Sequence, residues 1–294
     1  MAVEINFVRD VASILRKRLA EAGYSPVPGE TDEETIRRYL NVLHRTIEQR
    51  QRVTRKSKNF SCPPEHQAGL RALLDTSEAG GDLRRYQSKS IDRADYDDGM
   101  LNDFGVQHFH LGARPDFRDP SFMDRTGPLL YAVVTTEDLY CLGVHEHGAW
   151  SKQGLLDVMH ESFPELTSSN TLKGLAMEPT GQSHHYSDDD VKKLRDAGVN
   201  VVTQRPDGTI MIGPGGGVTL SKERGKKSSK VERGVIDFLS EFRDAEDELR
   251  KHFEQSGQDS ANTNIQIIEE NAELIGLNWR TGRRVRLGKV LRDI

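Results

Sequence analysis

The sequence predicts an α+β protein: a helical N-terminal arm, a small antiparallel central sheet and an α/β C-terminal part. Three observations carry this expectation. Apolar residues recur at helical spacing from Ile5 to Leu74, the pattern becomes alternating or continuously apolar between Val106 and Val144, and helix and strand signals mix beyond Ser187.

In the arm, Ile5, Val8, Ala12, Leu15, Leu19 and Ala22 line one helix face, which Gly23, Pro26 and Pro28 end. Thr31 with Glu34 makes a capping box for a second helix lined by Ile36, Tyr39 or Leu40, Leu43 and Ile47, which runs on into a basic stretch. Pro63–Pro64–Glu65 starts a third, stopped by Gly80–Gly81, so residues 1–80 read as all-helical. In the centre, Val106–Leu111, Leu129–Val134 and Leu139–Val144 read as strands and Gly154–Phe163 as a short helix. Residues 167–187 are polar and read as a linker. Beyond them come a helix capped at Ser187, a hairpin around Pro206–Asp–Gly208, a long charged helix through Val235 and Leu249, and a final hairpin at Ile265–Ile268 and Leu274–Leu277. Four regions are therefore expected: 1–80, 81–166, 167–187 and 188–294.

The chain has 294 residues, 35% of them hydrophobic and 30% charged, which suggests about two domains with small cores. The longest apolar run, Pro128–Val134, is far below the ~20 residues of a spanning helix, and the N-terminus has no basic-then-apolar leader. Two distant cysteines, Cys62 and Cys141, make neither a disulfide framework nor a cysteine zinc site. A soluble protein of the reducing cytoplasm, with no membrane partner, is the expectation. The net charge of -5 hides three basic stretches, each with six cations: Arg45–Lys58 with one acid, Lys222–Arg233 with two, and Arg280–Arg292 with none. Such stretches are commonly solvated helix faces or tails, yet three in one acidic chain point to a phosphate-bearing partner. The candidate nucleic-acid contacts are Arg52, Arg55, Lys56, Lys226, Lys227, Arg283 and Arg284.

The most unusual composition is the pair His108–Phe109–His110 and His145–Glu146–His147. Residues i and i+2 of a strand share a face, so each pair puts two imidazoles together, and the meander can bring both to one end of the sheet. Histidines at strand ends also occur as ordinary polar tips. If the four converge, two chemistries are open: zinc or another transition metal, with Glu146 and Glu161 as spare carboxylates, or metal-free cleavage of a phosphodiester. Neither glutamate sits in a His–Glu–x–x–His frame, which ranks metal second. A ribonuclease needs a base for the 2′-hydroxyl, a cation for the phosphate and an acid for the leaving oxygen; His108, Arg125 and His145 or His147 suit those roles. Gly213–Pro–Gly–Gly–Gly217 lacks a following Gly–Lys–Ser/Thr and reads as a turn, and Cys141, inside an apolar strand, reads as core.

The segments Phe104–Gly–Val–Gln–His–Phe–His–Leu–Gly112, Asp124–Arg–Thr–Gly–Pro–Leu–Leu–Tyr–Ala–Val–Val134 and Leu139–Tyr–Cys–Leu–Gly–Val–His–Glu–His–Gly148 together resemble the central meander of RelE/ParE-like toxins. The resemblance implies a small α/β ribonuclease that cleaves mRNA without a metal, with Arg125, His145 and His147 at matching strand positions. The leading expectation is thus a nuclease-like toxin or defence effector with catalytic candidates His108, His110, Arg125, His145 and His147. It requires no cofactor; its partners are nucleic acid, RNA ahead of DNA, and a protein partner or antitoxin. Two alternatives stand beside it: a metal-dependent hydrolase, and a non-catalytic assembly protein whose helical hairpin docks a partner.

Overall fold

Asn6 and Thr31 open the first two helices by satisfying their orphan N–H groups. Asn6 Oδ1 accepts the Arg9 N–H at 2.9 Å, while Thr31 and Glu34 exchange side-chain-to-backbone bonds of 2.8 and 3.2 Å, the reciprocal capping box. These helices are α1 (Phe7–Glu21) and α2 (Asp32–Arg45) in a computed structural model that describes residues 5–146, 153–172, 186–204, 209–221, 225–256, 265–270, 273–278 and 284–288. The chain is α+β, as its patterning predicts.

Two compact units emerge, and neither is a continuous segment. The first comprises Met1–His44, Asp92–Tyr96 and Val231–Ile294. It joins α1 and α2 to the long helix α7 (Ser229–Ser256) and an antiparallel sheet of β10 (Ile265–Glu270), β11 (Glu273–Asn278) and β12 (Arg284–Gly288) in that order. Val11, Leu15, Ile36 and Tyr39 from the helical hairpin share one core with Val235, Leu239 and Phe242 from α7 and Ile267 and Leu274 from the sheet. Arg18 is buried against Glu269 and the Tyr39 hydroxyl, and Arg37 bridges Glu33 and Glu232, each at 2.7 Å. The boundaries expected at 80, 166 and 187 therefore differ from the compact units. Two amphipathic helices cannot cover their own apolar faces, and the far end of the chain covers them.

The second unit, Arg45–Ile91 and Asp97–Lys230, is built on a four-stranded sheet of order β1-β4-β3-β2. The expected meander is β2 (Gln107–His110), β3 (Pro128–Val134) and β4 (Asp138–Glu146), paired antiparallel. The extra edge strand, β1 (Val53–Lys56), runs parallel to β4 and corrects the all-helical reading of residues 1–80. Helix α3 (Gln67–Glu78) covers one face through Leu70, Leu73 and Leu74, against Phe109, Leu130, Ala132 and Cys141. Helices α4 (Gly99–Phe104) and α5 (Gly154–Ser162) cover the other, with Met100, Phe104, Leu155, Leu156 and Met159 against Leu129, Tyr131 and Leu142.

Smaller elements complete this unit: β5 (Thr171–Leu172), α6 (Asp188–Asp196), β6 (Val202–Gln204), β7 (Ile210–Ile212), β8 (Val218–Ser221) and β9 (Gly225–Ser228). The expected hairpin is β6–β7, with its turn at 206–208 outside the described residues. The expected linker is partly structured, because β5 pairs with β7, while 173–185 lie outside the described residues. Among the described residues no helix is long and apolar enough to cross a membrane.

Candidate functional site

One irregularity decides which way His145 points. Along β3 and β4, Ala132 pairs with Cys141 but Tyr131 pairs with Gly143, so Leu142 is an extra residue in the ladder. A one-residue bulge exchanges the faces of everything beyond it. Without it Val144 would share a face with Tyr131; with it His145 does. Two rows then cross the sheet on that face: His110, Leu129 and His145, and next to it His108, Tyr131 and Gly143. The outer strands of a three-strand row lie about 10 Å apart, so the histidines of β2 and β4 are brought to one end of the sheet.

Tyr131 is the ring between them. Its centroid lies 6.3 Å from that of His108 and 5.9 Å from that of His145. The His145 imidazole folds back over Gly143: a Cβ there would stand 2.7 Å from Nε2. On the far side, His108 Nδ1 lies 3.4 Å from the Asp98 carboxylate, which also caps α4 by accepting the Met100 and Leu101 N–H groups at 3.0 and 3.1 Å.

His110 does different work. It is buried, and its Nδ1 accepts the Thr126 N–H at 3.2 Å, which puts the ring proton on Nε2. Thr126 Oγ1 in turn accepts from the Leu111 N–H at 3.0 Å and donates to the Pro128 carbonyl at 2.6 Å. His110 therefore closes the base of the loop between β2 and β3. Arg125, beside Thr126, is exposed at the same end of the sheet. His147 lies outside the described residues.

The accessible side of this arrangement is a cavity of about 110 Å³ against His145, walled by residues 57–61, β4 and α5. Its polar lining includes Lys58, Glu161, Ser57, Ser61 and Ser162. The walls are pinned. Ser57 N donates to the Cys141 carbonyl at 3.0 Å and its Oγ to the Leu142 carbonyl at 2.8 Å, extending the β1–β4 pairing, while the Lys58 N–H reaches Ser162 Oγ at 3.2 Å. An imidazole, an ammonium and a carboxylate thus line one phosphate-sized space. Lys58 and Glu161 stand about a hundred residues apart, and only the unpredicted strand β1 brings them together.

The cations nominated from the sequence are mostly committed elsewhere. Arg52 is buried, donating to the Thr135 and Arg50 carbonyls at 2.8 and 3.1 Å, and burial together with Arg50 lowers its pKa. Arg55 pairs with Asp138 at 2.7 Å, Lys227 with Asp97 at 2.8 Å and Arg284 with Glu270 at 2.7 Å. Lys226 donates to the Arg195 carbonyl at 2.9 Å, and Lys56 sits 5.6 Å from the Phe60 ring centroid. Arg283 lies outside the described residues. Dense positive charge in the sequence is here largely internal neutralisation.

The glycine run is a packing device. A Cβ at Gly213 would stand 2.0 Å from the Asp103 carbonyl oxygen and one at Gly215 2.3 Å from that of Asn102, so backbone packs directly on the end of α4. The Gly215 and Gly217 N–H groups donate to those two carbonyls at 3.0 and 2.8 Å. Beneath them the Asp103 carboxylate is buried against Arg195, whose guanidinium stacks 4.2 Å from the Phe104 ring centroid. Burial pushes the Cys141 thiol up to about 12, which fits a core residue rather than a nucleophile. Among the described residues no three His, Cys, Asp or Glu side chains converge as metal ligands. Comparison with known proteins adds no relative: no family model, no curated protein and no solved structure matches the chain.

Proposed function

We propose that the protein is a metal-independent ribonuclease acting at the His145 cavity, in the role of a toxin or defence effector. The observation that carries this reading is the convergence of His145, Lys58 and Glu161 on one pinned cavity. On this reading His145 and Glu161 are the acid–base pair. One removes the 2′-hydroxyl proton as the 2′-oxygen attacks phosphorus; the other protonates the departing 5′-oxygen. The products are a 2′,3′-cyclic phosphate and a 5′-hydroxyl. The Lys58 ammonium offsets charge building on the non-bridging oxygens, and exposed Arg125 holds a neighbouring phosphate. Tyr131 and the Asp98–His108 pair are positioning groups that brace the His145 ring. The nucleophile exists only in RNA, which ranks RNA ahead of DNA. The RelE/ParE-like patterning supports the same chemistry on the same strands. Two free cysteines, Cys62 and Cys141, suit a reducing cytoplasm as the place of action.

The test is incubation of the purified protein with end-labelled RNA in EDTA, beside a 2′-O-methyl copy. The expected result is cleavage of the RNA alone, lowered about 10²–10⁴-fold by His145→Ala and comparably by Lys58→Ala. No cleavage by the wild type, abolition by EDTA, or an unimpaired His145→Ala variant overturns it.

A further inference from the structure

Phe117, at 97%, is the most exposed large apolar side chain among the described residues. It is held at the tip of a loop that is anything but loose. Asp116 Oδ1 accepts the Arg118 and Asp119 N–H groups at 2.8 and 3.0 Å and lies 3.1 Å from Lys89 Nζ. Asp119 binds the Ser121 hydroxyl and N–H. A bridge joins Pro115 to Met123, and the Asp116 and Asp124 N–H groups donate to the Phe122 and Arg114 carbonyls, both at 2.8 Å. Phe122 is buried as the anchor, between Arg84 and Lys89 at 5.3 and 5.9 Å from its ring. The same chain that buries Phe122 presents Phe117 to water.

The charges around the ring are sorted as well. The Asp116 and Asp119 carboxylates bond the loop's own backbone, and Asp124 is exposed at its base. Arg114, Arg118 and Arg125 are all exposed, and among the described residues none has a carboxylate partner. The loop thus presents one fully exposed aromatic ring together with exposed guanidiniums that no carboxylate among the described residues neutralises. It matches a stacking platform for a nucleic-acid base with cations for the flanking phosphates.

We infer that the 111–127 loop is a preorganised contact for single-stranded RNA, in which Phe117 stacks on one base and Arg114 and Arg118 meet adjacent phosphates. The choice of RNA rests on the ribonuclease reading. The loop closes on His110, at the same end of the sheet as His145, so a strand held there runs toward the cavity. Ordering costs on binding are low because the loop is already fixed by its own hydrogen bonds.

The test measures anisotropy of a fluorescent 2′-O-methyl RNA oligonucleotide, which binds but cannot be cleaved, against full-length wild type, Phe117→Ala, Phe117→Trp and Arg118→Ala. Stacking on an aromatic ring predicts roughly 5- to 150-fold weaker binding for Phe117→Ala and retention for Phe117→Trp. Arg118→Ala should reduce the salt slope by about 0.7, the value for one phosphate on a single strand. Unchanged affinity of Phe117→Ala, or binding to anionic vesicles with none to RNA, overturns the inference. Phe117-dependent binding without any cleavage of ordinary RNA upholds it and sinks the ribonuclease reading instead; cleavage with Phe117-independent binding does the reverse.

Discussion

The Gly143→Ala substitution separates the site from the scaffold. Gly143 has no neighbour crowding its missing Cβ except the His145 ring, at 2.7 Å to Nε2, 3.4 Å to Cδ2 and 3.5 Å to Cε1. Ordinary contact needs about 3.5 Å, so the imidazole must retreat by somewhat under 1 Å. No backbone has to move, because the clash is with the far end of a side chain. The structural cost is that of an off-rotamer imidazole, about 0.5–1.5 kcal/mol, and alanine's better strand behaviour offsets part of it. Chemistry is far less tolerant, since a displacement near 1 Å costs on the order of 10²-fold in rate. The expected outcome is RNA cleavage lowered about 100-fold, measured as kcat/KM on an end-labelled oligonucleotide, with a denaturant midpoint close to that of the wild type. Wild-type cleavage by Gly143→Ala refutes the assignment of His145. A large loss of stability refutes the claim that only the imidazole occupies that space.

Other substitutions probe the packing and the charges. Asp103→Ala removes the carboxylate beside buried Arg195 and should cost about 3–5 kcal/mol in urea unfolding; a change below 1 kcal/mol would contradict burial of that pair. Gly215→Ala drives a methyl into the Asn102 carbonyl at 2.3 Å, so it should destabilise by several kcal/mol while leaving phosphate affinity untouched, in contrast to a phosphate cradle. Arg52→Ala should lower thermal stability without altering the salt dependence of RNA binding, because its guanidinium serves the Thr135 and Arg50 carbonyls. Asp116 is held below the ordinary carboxylate range by Lys89 and by the Arg118 and Asp119 N–H groups. A depressed folded-state pKa stabilises the loop above the unfolded value, near 3.9, and loses that contribution as pH falls through the lower folded value. Hydrogen exchange of the Arg118 and Asp119 amides should therefore stay protected at neutral pH and rise only in strong acid; equal protection in Asp116→Asn at neutral pH would contradict the role of the charge.

Long periodic segments were legible in the sequence, and the contacts between them were not. Helical spacing placed α1, α2, α3 and α5, and alternating or continuously apolar runs placed β2, β3, β4, β10 and β11 close to their observed bounds. Strand β1 escaped because Val53 and Thr54 are its only β-branched residues and the cations around them read as a solvated helix. Its stability comes from pairing with Asp138–Cys141, some 85 residues away, and no local signal carries that. The role of α1 and α2 as half of a core completed by residues 231–278 is hidden for the same reason.

The candidate site shows the same division between local and non-local information. Both His–x–His pairs are visible as text, and period-2 reasoning places His108 and His110 on one face of a strand. Whether His145 joins them depends on the parity of β4, and parity turns on the extra residue at Leu142. Burial then gives similar residues different work: His110 holds a backbone amide, His108 leans on a helix cap, and His145 borders a cavity.

Charge behaves likewise. A count of cations along the chain singles out Arg52, Arg55, Lys227 and Arg284, yet each has its charge or its hydrogen bonds taken up internally. Arg114, Arg118 and Arg125, exposed guanidiniums with no carboxylate partner among the described residues, sit in a segment whose three aspartates cancel them in the sequence count. What separates the two groups is where the aspartates point, and two of those three are turned onto the loop's own amides. The RNA contact inferred for this loop rests on that local separation of guanidiniums from carboxylates, which a count of formal charge along the chain does not reveal.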